Sequence, residues 1–234
     1  MLRDMTYPGG KGRAYQRIIS LMPPHTTYIE THLGGGAVLR RKRPARRSIG
    51  VEIDAEVLDR WRATASPGLE LVHGCAVDFL RGFAFSGGEL VYADPPYWPD
   101  ARRRARCYRH DYSREHHAEL LDILVRLPCH VMISGYDNPA YEAALCEWHR
   151  HAVPNQTQAG PVHEAVWTNF EPDHRLHDYS YIGDDFRERE RIRRGRRTQV
   201  ERLRRAPPIE RAAMLSDIVD TFAEDVLAIA ERIR

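Results

Sequence analysis

The chain has 234 residues, 42% of them hydrophobic and 29% charged, which supplies enough apolar material for a substantial core and excludes a mainly disordered protein. No apolar run approaches the roughly 20 residues of a membrane-spanning helix, and the opening MLRDMTYPGGKGR has no hydrophobic signal region, so a soluble, cytoplasmic protein without membrane contact is expected. Net charge is only +2, yet among 35 basic residues only Lys11 and Lys42 are lysine, and the four cysteines form no CxxC pair, so neither a zinc cluster nor a disulfide scaffold is indicated.

Short apolar runs alternate with helical patterns along the chain, which predicts an α/β fold with a doubly wound, mostly parallel sheet. In order, a helix is expected over 10–22, a strand over 27–31, a helix over 36–41, a strand over 48–53, a helix over 55–65 and a strand over 69–73. A strand over 89–93 follows, then a helix over 114–127, a strand over 130–134 and a helix over 139–146. Two last strands, 148–154 and 165–170, flank NQTQAGP and read as a terminal antiparallel hairpin, because no helical period fits between them. Composition changes after Phe170, giving an expected domain over 1–170 and a basic helical extension over 171–234. The final helix carries Leu215, Ile218, Val219, Phe222, Val226, Ile229 and Ile233 on one stripe, expected to pack on the chain's own core, the alternative being a partner or dimer interface.

Arginine is segregated. Residues 40–47 hold six basic side chains and no acid, 102–109 hold five arginines and no acid, and 187–205 hold ten arginines against three glutamates. Arginine's flat, five-donor fork suits phosphate and base edges, and three such stretches point towards a polyanionic partner.

The sharpest local signal is Asp94-Pro95-Pro96-Tyr97, directly after the apolar strand ELVYA. Two prolines fix φ and end the ladder at a strand's C-terminal edge, where open α/β sheets bind ligands. The Asp94 carboxylate and the Pro95 carbonyl are two acceptors, matching the two N–H donors of an exocyclic amino group on a nucleobase. Accepting both hydrogens localises the nitrogen lone pair and makes it nucleophilic without a strong base. Tyr97 can stack on the base face, a contact worth about 1–3 kcal/mol. A second signal is Glu30-Thr31-His32-Leu33-Gly34-Gly35-Gly36, a strand end followed by glycines that let the backbone lie close to a ligand. Glu52 ends the next strand, where a carboxylate can accept from ribose hydroxyls, and Asp54 fits an N-cap. Tyr7-Pro8-Gly9-Gly10-Lys11 is a third, weaker signal.

In this order YPGGK, ExxxGGGA, an acid after the second strand and DPPY resemble the D12 class, the Dam-like DNA adenine-N6 methyltransferases, over about residues 7–135. The resemblance implies a class I methyltransferase sheet that binds S-adenosyl-L-methionine and flips an adenine out of DNA. Carried over by position, it implies cofactor contacts from Tyr7, Lys11, Glu30, Gly34, Gly36, Glu52 and Asp94, with Asp94, Pro95 and Tyr97 holding the target base, and no metal. This chain departs from the pattern with Thr31 and His32 in place of proline and phenylalanine. It has Cys75 where an aspartate is usual, Asp78 being the nearest acid. Only residues 81–88 precede the DPPY strand where Dam enzymes carry a target-recognition domain. DNA contacts are therefore expected from the loop over 98–112, with Arg102, Arg103, Arg104, Arg106 and Arg109, and from 186–205, whose alternative is a helix laced with its own ion pairs. An RNA adenine methyltransferase and a non-catalytic nucleic-acid-binding protein on the same fold are the competing functions.

Overall fold

The computed structural model describes residues 14–64, 68–101, 109–157 and 160–231. Tyr7, Lys11, Arg102, Arg103, Arg104, Arg106 and Ile233 lie outside these residues.

Seven strands form one sheet: β1 (Thr27–Glu30), β2 (Arg47–Glu52), β3 (Leu69–His73), β4 (Glu89–Ala93), β5 (His130–Tyr136), β6 (His149–Thr157) and β7 (Gly160–Thr168). Their order is β3-β2-β1-β4-β5-β7-β6. The first five are parallel, and β7 runs antiparallel to both β5 and β6. This is the doubly wound, mostly parallel sheet with an antiparallel hairpin expected of a class I methyltransferase, and its strand order reverses between β1 and β4. Sequence reason and position agree at β4: ELVYA is fully buried, as a central parallel strand covered on both faces must be.

The flanking helices are α1 (Ala14–Ile19), α2 (Ala55–Arg62), α3 (Ala76–Gly82), α4 (Arg114–Leu124) and α5 (Pro139–Ala144). Leu80, Leu120, Leu124 and Trp167 close over Ile29, Val51, Val91 and Val131 of the sheet, so the core lies under the strand centres and leaves their C-terminal ends open for a site.

Three expectations are corrected. Residues 36–41 form turns, not a helix, because the Leu39 amide donates to the Glu30 carboxylate at 3.1 Å instead of continuing a helical ladder. The helix α3 was not anticipated; it is only seven residues long, and Cys75 before it makes no side-chain cap. The hairpin strands run through most of NQTQAGP, pairing Asn155 with Val162 and Thr157 with Gly160.

The chain divides into two compact units, Met1–Asp178 and Tyr179–Arg234. Within the first, residues 171–178 return to the segments entering β1 and β2: the His177 ring stacks on His25 at 3.8 Å and the Asp178 carboxylate accepts from the Arg43 amide at 2.9 Å. The second comprises α6 (Phe186–Arg205), α7 (Pro208–Thr221) and α8 (Ala223–Glu231). The expected single last helix is thus broken at Phe222, which leaves helical geometry with φ −126° and ψ 40°. Its apolar stripe is not buried: Leu215, Ile218, Val219, Phe222 and Ile229 are all exposed, three helices of this size having little surface with which to cover one another. No helix among the described residues is long and apolar enough to cross a membrane.

Lys42 is 5% exposed, with its ammonium 4.2 Å from the Tyr28 ring centroid and donating to the Arg43 carbonyl at 2.9 Å. Burial pulls its pKa down to about 7, against the partial opposition of Glu30 and Asp178. The unfolded chain binds a proton here between pH 7 and the ordinary lysine range while the folded chain does not, so stability rises with pH across that window. Lys42→Met removes this dependence. Its stability relative to wild type is expected to fall by at least about 1 kcal/mol between pH 7 and pH 10, a relative Tm change of roughly 2–4 °C, read by thermal unfolding at both pH values.

Candidate active site

A cleft of about 300 Å³ opens at the C-terminal ends of β1, β2 and β4 and at the start of α3. Its lining includes the 30–38 loop, Glu52, Asp54, Cys75, Asp94–Tyr97, Arg109 and Tyr112. Parallel pairing of β1 with β4 sets Glu30 beside Tyr92, so the glycine loop and the diproline corner leave neighbouring strands at the same level.

The loop after β1 turns on two glycines in the left-handed region, Gly34 at φ 43° and Gly36 at φ 58°. It is held from three sides. The Gly34 amide donates to Glu52 Oε2 at 2.7 Å, the Trp61 indole N–H donates to the Gly34 carbonyl at 2.8 Å, and the Leu33 amide donates to the Val51 carbonyl at 3.0 Å. Glu52 also accepts from the Asp54 amide through Oε1 at 2.9 Å, so this carboxylate braces the loop while remaining in the cleft wall. Asp54 caps α2 by accepting from the Glu56 amide at 2.9 Å.

Glu30 is turned towards the protein. Its Oε2 accepts from the Tyr28 hydroxyl at 2.8 Å and from the Leu39 amide at 3.1 Å. Burial pushes its carboxyl up to about 8, with the nearby Asp94 charge adding to the rise, so Glu30 is mostly protonated at neutral pH. Glu30 therefore adds little negative charge beside Asp94.

Asp94 sits just beyond β4. Ser134 Oγ donates to its Oδ1 at 2.8 Å, and the Tyr92 hydroxyl lies 3.0 Å from the same Ser134 oxygen, making a chain of hydroxyls ending on the carboxylate. Ser134 is fully buried on β5, so its direction is fixed by the sheet. The Tyr97 ring lies 4.5 Å, centroid to centroid, from Tyr136, tilted 32°. Neither Ser134 nor Tyr136 was anticipated; the one signal available was a serine inside the otherwise apolar run HVMIS.

The unusual Thr31-His32 pair has a defined role. Thr31 Oγ1 lies 2.9 Å from His32 Nδ1, and His32 Nε2 lies 2.9 Å from the Tyr112 hydroxyl, so the glycine loop is tied to the chain entering α4. Burial pulls His32 down to about 3 and pushes the Tyr112 phenol up, so the pair is neutral across the physiological range. Arg109 is half-exposed and meets Asp54 at 3.4 Å and Glu56 at 3.0 Å, bridging to the start of α2. Cys75 contributes to the cleft wall, whereas Asp78 is 77% exposed and lies 3.9 Å from Arg81, away from the lining.

No protein-family model matches the sequence, and no curated protein matches it. Among solved structures, TrmN from Thermus thermophilus is 16% identical over 67% of this chain and 46% of its own, with a TM-score of 0.46. A dimethyladenosine transferase from Plasmodium falciparum is 12% identical over 72% of this chain and 64% of its own, with a TM-score of 0.44. A candidate methylase from Haemophilus influenzae is 14% identical over 66% of this chain and 85% of its own, with a TM-score of 0.43.

A Cβ at Gly36 would land inside the Trp61 indole, which is buried, hydrogen-bonded to Gly34 and stacked by Arg40 at 4.0 Å, and the positive φ adds strain. Gly36→Ala is therefore expected to cost at least about 2 kcal/mol of stability, whereas Gly82→Ala, where a Cβ meets nothing within 4 Å, stays within about 0.5 kcal/mol of wild type. Denaturant unfolding of both variants measures the difference.

Proposed function

We propose that the chain is an S-adenosyl-L-methionine-dependent methyltransferase acting on the N6 amino group of adenine in DNA. The observation that carries this reading is the Ser134-oriented Asp94 carboxylate at the β4 end, one strand away from a glycine loop shaped for close backbone approach. The cleft residues fit the cofactor. Gly34 and Gly36 have no side chain to obstruct it, and Glu52 presents carboxylate oxygens with lone pairs beyond the two backbone bonds for ribose hydroxyls. Tyr7 and Lys11 complete the site in this reading. Bound S-adenosyl-L-methionine supplies an electrophilic methyl group.

The chain's residues then prepare the nucleophile. Asp94 Oδ and the Pro95 carbonyl accept the two N–H donors of the adenine amino group, and Tyr97, supported by Tyr136, covers one face of the ring. With both hydrogens directed at acceptors, the nitrogen lone pair is withdrawn from the ring and would be free to form the new N–C bond as the donor's S–C bond breaks, the surplus amine proton passing along its hydrogen bond to Asp94 or to solvent. Holding donor and acceptor on adjacent strands makes the displacement effectively intramolecular. Binding of DNA draws on the arginines of the 98–112 loop. The methyltransferase unit corresponds to the first compact unit, with the arginine-rich region as an extension.

The test is to incubate the purified full chain with methyl-labelled cofactor and either DNA or RNA, then digest to nucleosides. N6-methyl-2′-deoxyadenosine should carry the label; label confined to RNA nucleosides defeats the DNA assignment, and no label in either favours a binding protein. Asp94→Ala should lower turnover at least about 10³-fold with the fold intact by circular dichroism. Ser134→Ala, which loosens Asp94 without removing it, should lower kcat about tenfold or more while changing S-adenosylhomocysteine affinity less than about threefold.

A further inference from the structure

The site leaves the most arginine-rich element unexplained. The helix α6 holds ten arginines and three glutamates over 20 residues, and its arginines divide into groups with different surroundings. Arg189 donates to the Gly183 and Asp184 carbonyls at 3.1 and 3.3 Å, and Arg196 donates to the Tyr179 carbonyl at 2.6 Å. These two, seven residues apart, lie on one edge and fasten the helix to the segment preceding it. Arg187, Arg191, Arg194, Arg202 and Arg205 fall on the opposite edge, spaced by four, three, eight and three residues with Thr198 and one acid, Glu201, between, so that they form one largely basic stripe. All five are exposed.

The glutamates neutralise this stripe only in part. Arg191 meets Glu188 at 3.5 Å, Arg194 meets Glu190 at 4.0 Å and Arg205 meets Glu201 at 3.1 Å, pairs about one helical turn apart between exposed arginines and half-buried glutamates. Arg187 and Arg202 pair with no carboxylate among the described residues. The stripe also sets Arg187 against Arg191, Arg191 against Arg194, and Arg202 against Arg205, like-charged neighbours that weaken an isolated helix. The helix is laced with its own ion pairs, five of them to Glu188, Glu190 and Glu201, but three acids against ten arginines leave it strongly cationic. A polyanion laid along the stripe relieves the repulsion and gains charge-assisted, forked hydrogen bonds.

We propose that this edge of α6 is a contact surface for the phosphodiester backbone of duplex DNA. From Arg187 to Arg205 the stripe is about 27 Å long, the length of roughly eight base pairs. It offers guanidinium forks without any arrangement for reading base edges, so it supplies affinity and not sequence preference. The inference rests on DNA being the substrate of the site above, and it answers the lack of a recognition insert before β4: the binding energy comes from a tethered unit, which raises the local concentration of DNA near the catalytic unit.

The experiment measures binding of the full chain to a fluorescent 20-base-pair duplex by anisotropy from about 50 to 200 mM KCl, beside a variant with Arg187, Arg191, Arg194, Arg202 and Arg205 all changed to glutamine. Glutamine keeps helix propensity, and circular dichroism checks the helix content. The wild-type affinity should fall steeply with salt, and the variant should bind at least about tenfold more weakly at the lowest salt, with a log–log salt slope shallower by about three to four. Arg197→Gln, off the stripe, should change affinity less than about threefold. Equal affinity and slope in wild type and a folded five-fold variant would overturn the proposal, as would tighter, arginine-dependent binding of an RNA hairpin than of the duplex. Titration of S-adenosylhomocysteine into both proteins separates the two readings: normal cofactor binding with unchanged DNA binding sinks the surface alone, whereas loss of cofactor binding by wild type sinks the methyltransferase and leaves the DNA result standing.

Discussion

The parallel pairing of β1 with β4 is the constraint from which the rest follows. Because the strand order reverses there, the loops leaving the two strands diverge to opposite faces and open a crevice between them. One loop is built from glycine and the other from proline, and the contrast is physical: the first needs backbone that can turn with positive φ and approach a ligand, the second needs backbone that cannot move. A sheet in which β1 and β4 were separated by another strand would place the same motifs too far apart to act on one another.

Around this crevice three carboxyl groups do different work according to what they touch. Glu30 is buried against Tyr28 and Leu39, is held largely protonated, and supports the turn that follows the glycines. Glu52 spends two lone pairs on backbone amides and fixes the near side of the loop. Asp94 is oriented by a serine hydroxyl on the adjacent strand. Neutralising the first keeps two negative charges from crowding at the strand ends. The Thr31, His32 and Tyr112 connection adds a neutral tie across the mouth of the cleft, insensitive to pH over the physiological range.

Much of this was legible in the sequence, for identifiable reasons. The strands over 69–73 and 89–93 are short apolar runs bounded by turn residues, and β3 and β4 occupy those ranges. The motifs Glu30–Gly36, Glu52 and Asp94–Tyr97 come together in one cleft because each is anchored to a strand end whose place in a doubly wound sheet is fixed by topology. What escaped depends on register and on competition for backbone groups. Ser134 meets Asp94 only because β4 and β5 pair Ala93 with Ile133, which no local pattern announces. The turn at 36–41 looks helical in sequence and is diverted by a carboxylate nine residues upstream. The terminal stripe has helical period, yet period alone does not say whether an element will find a partner, and Leu215, Phe222 and Ile229 stay exposed among the described residues.

The central claim is that the corner at Asp94 engages an exocyclic amino group, and the most direct measurement removes that group and nothing else. Single-turnover transfer of labelled methyl should be compared between an adenine-containing duplex and the same duplex with purine, which lacks the 6-amino group, in place of the adenines. Label should enter the adenine duplex and be absent from the purine duplex although both bind with similar affinity. Equal labelling of the two would contradict the account.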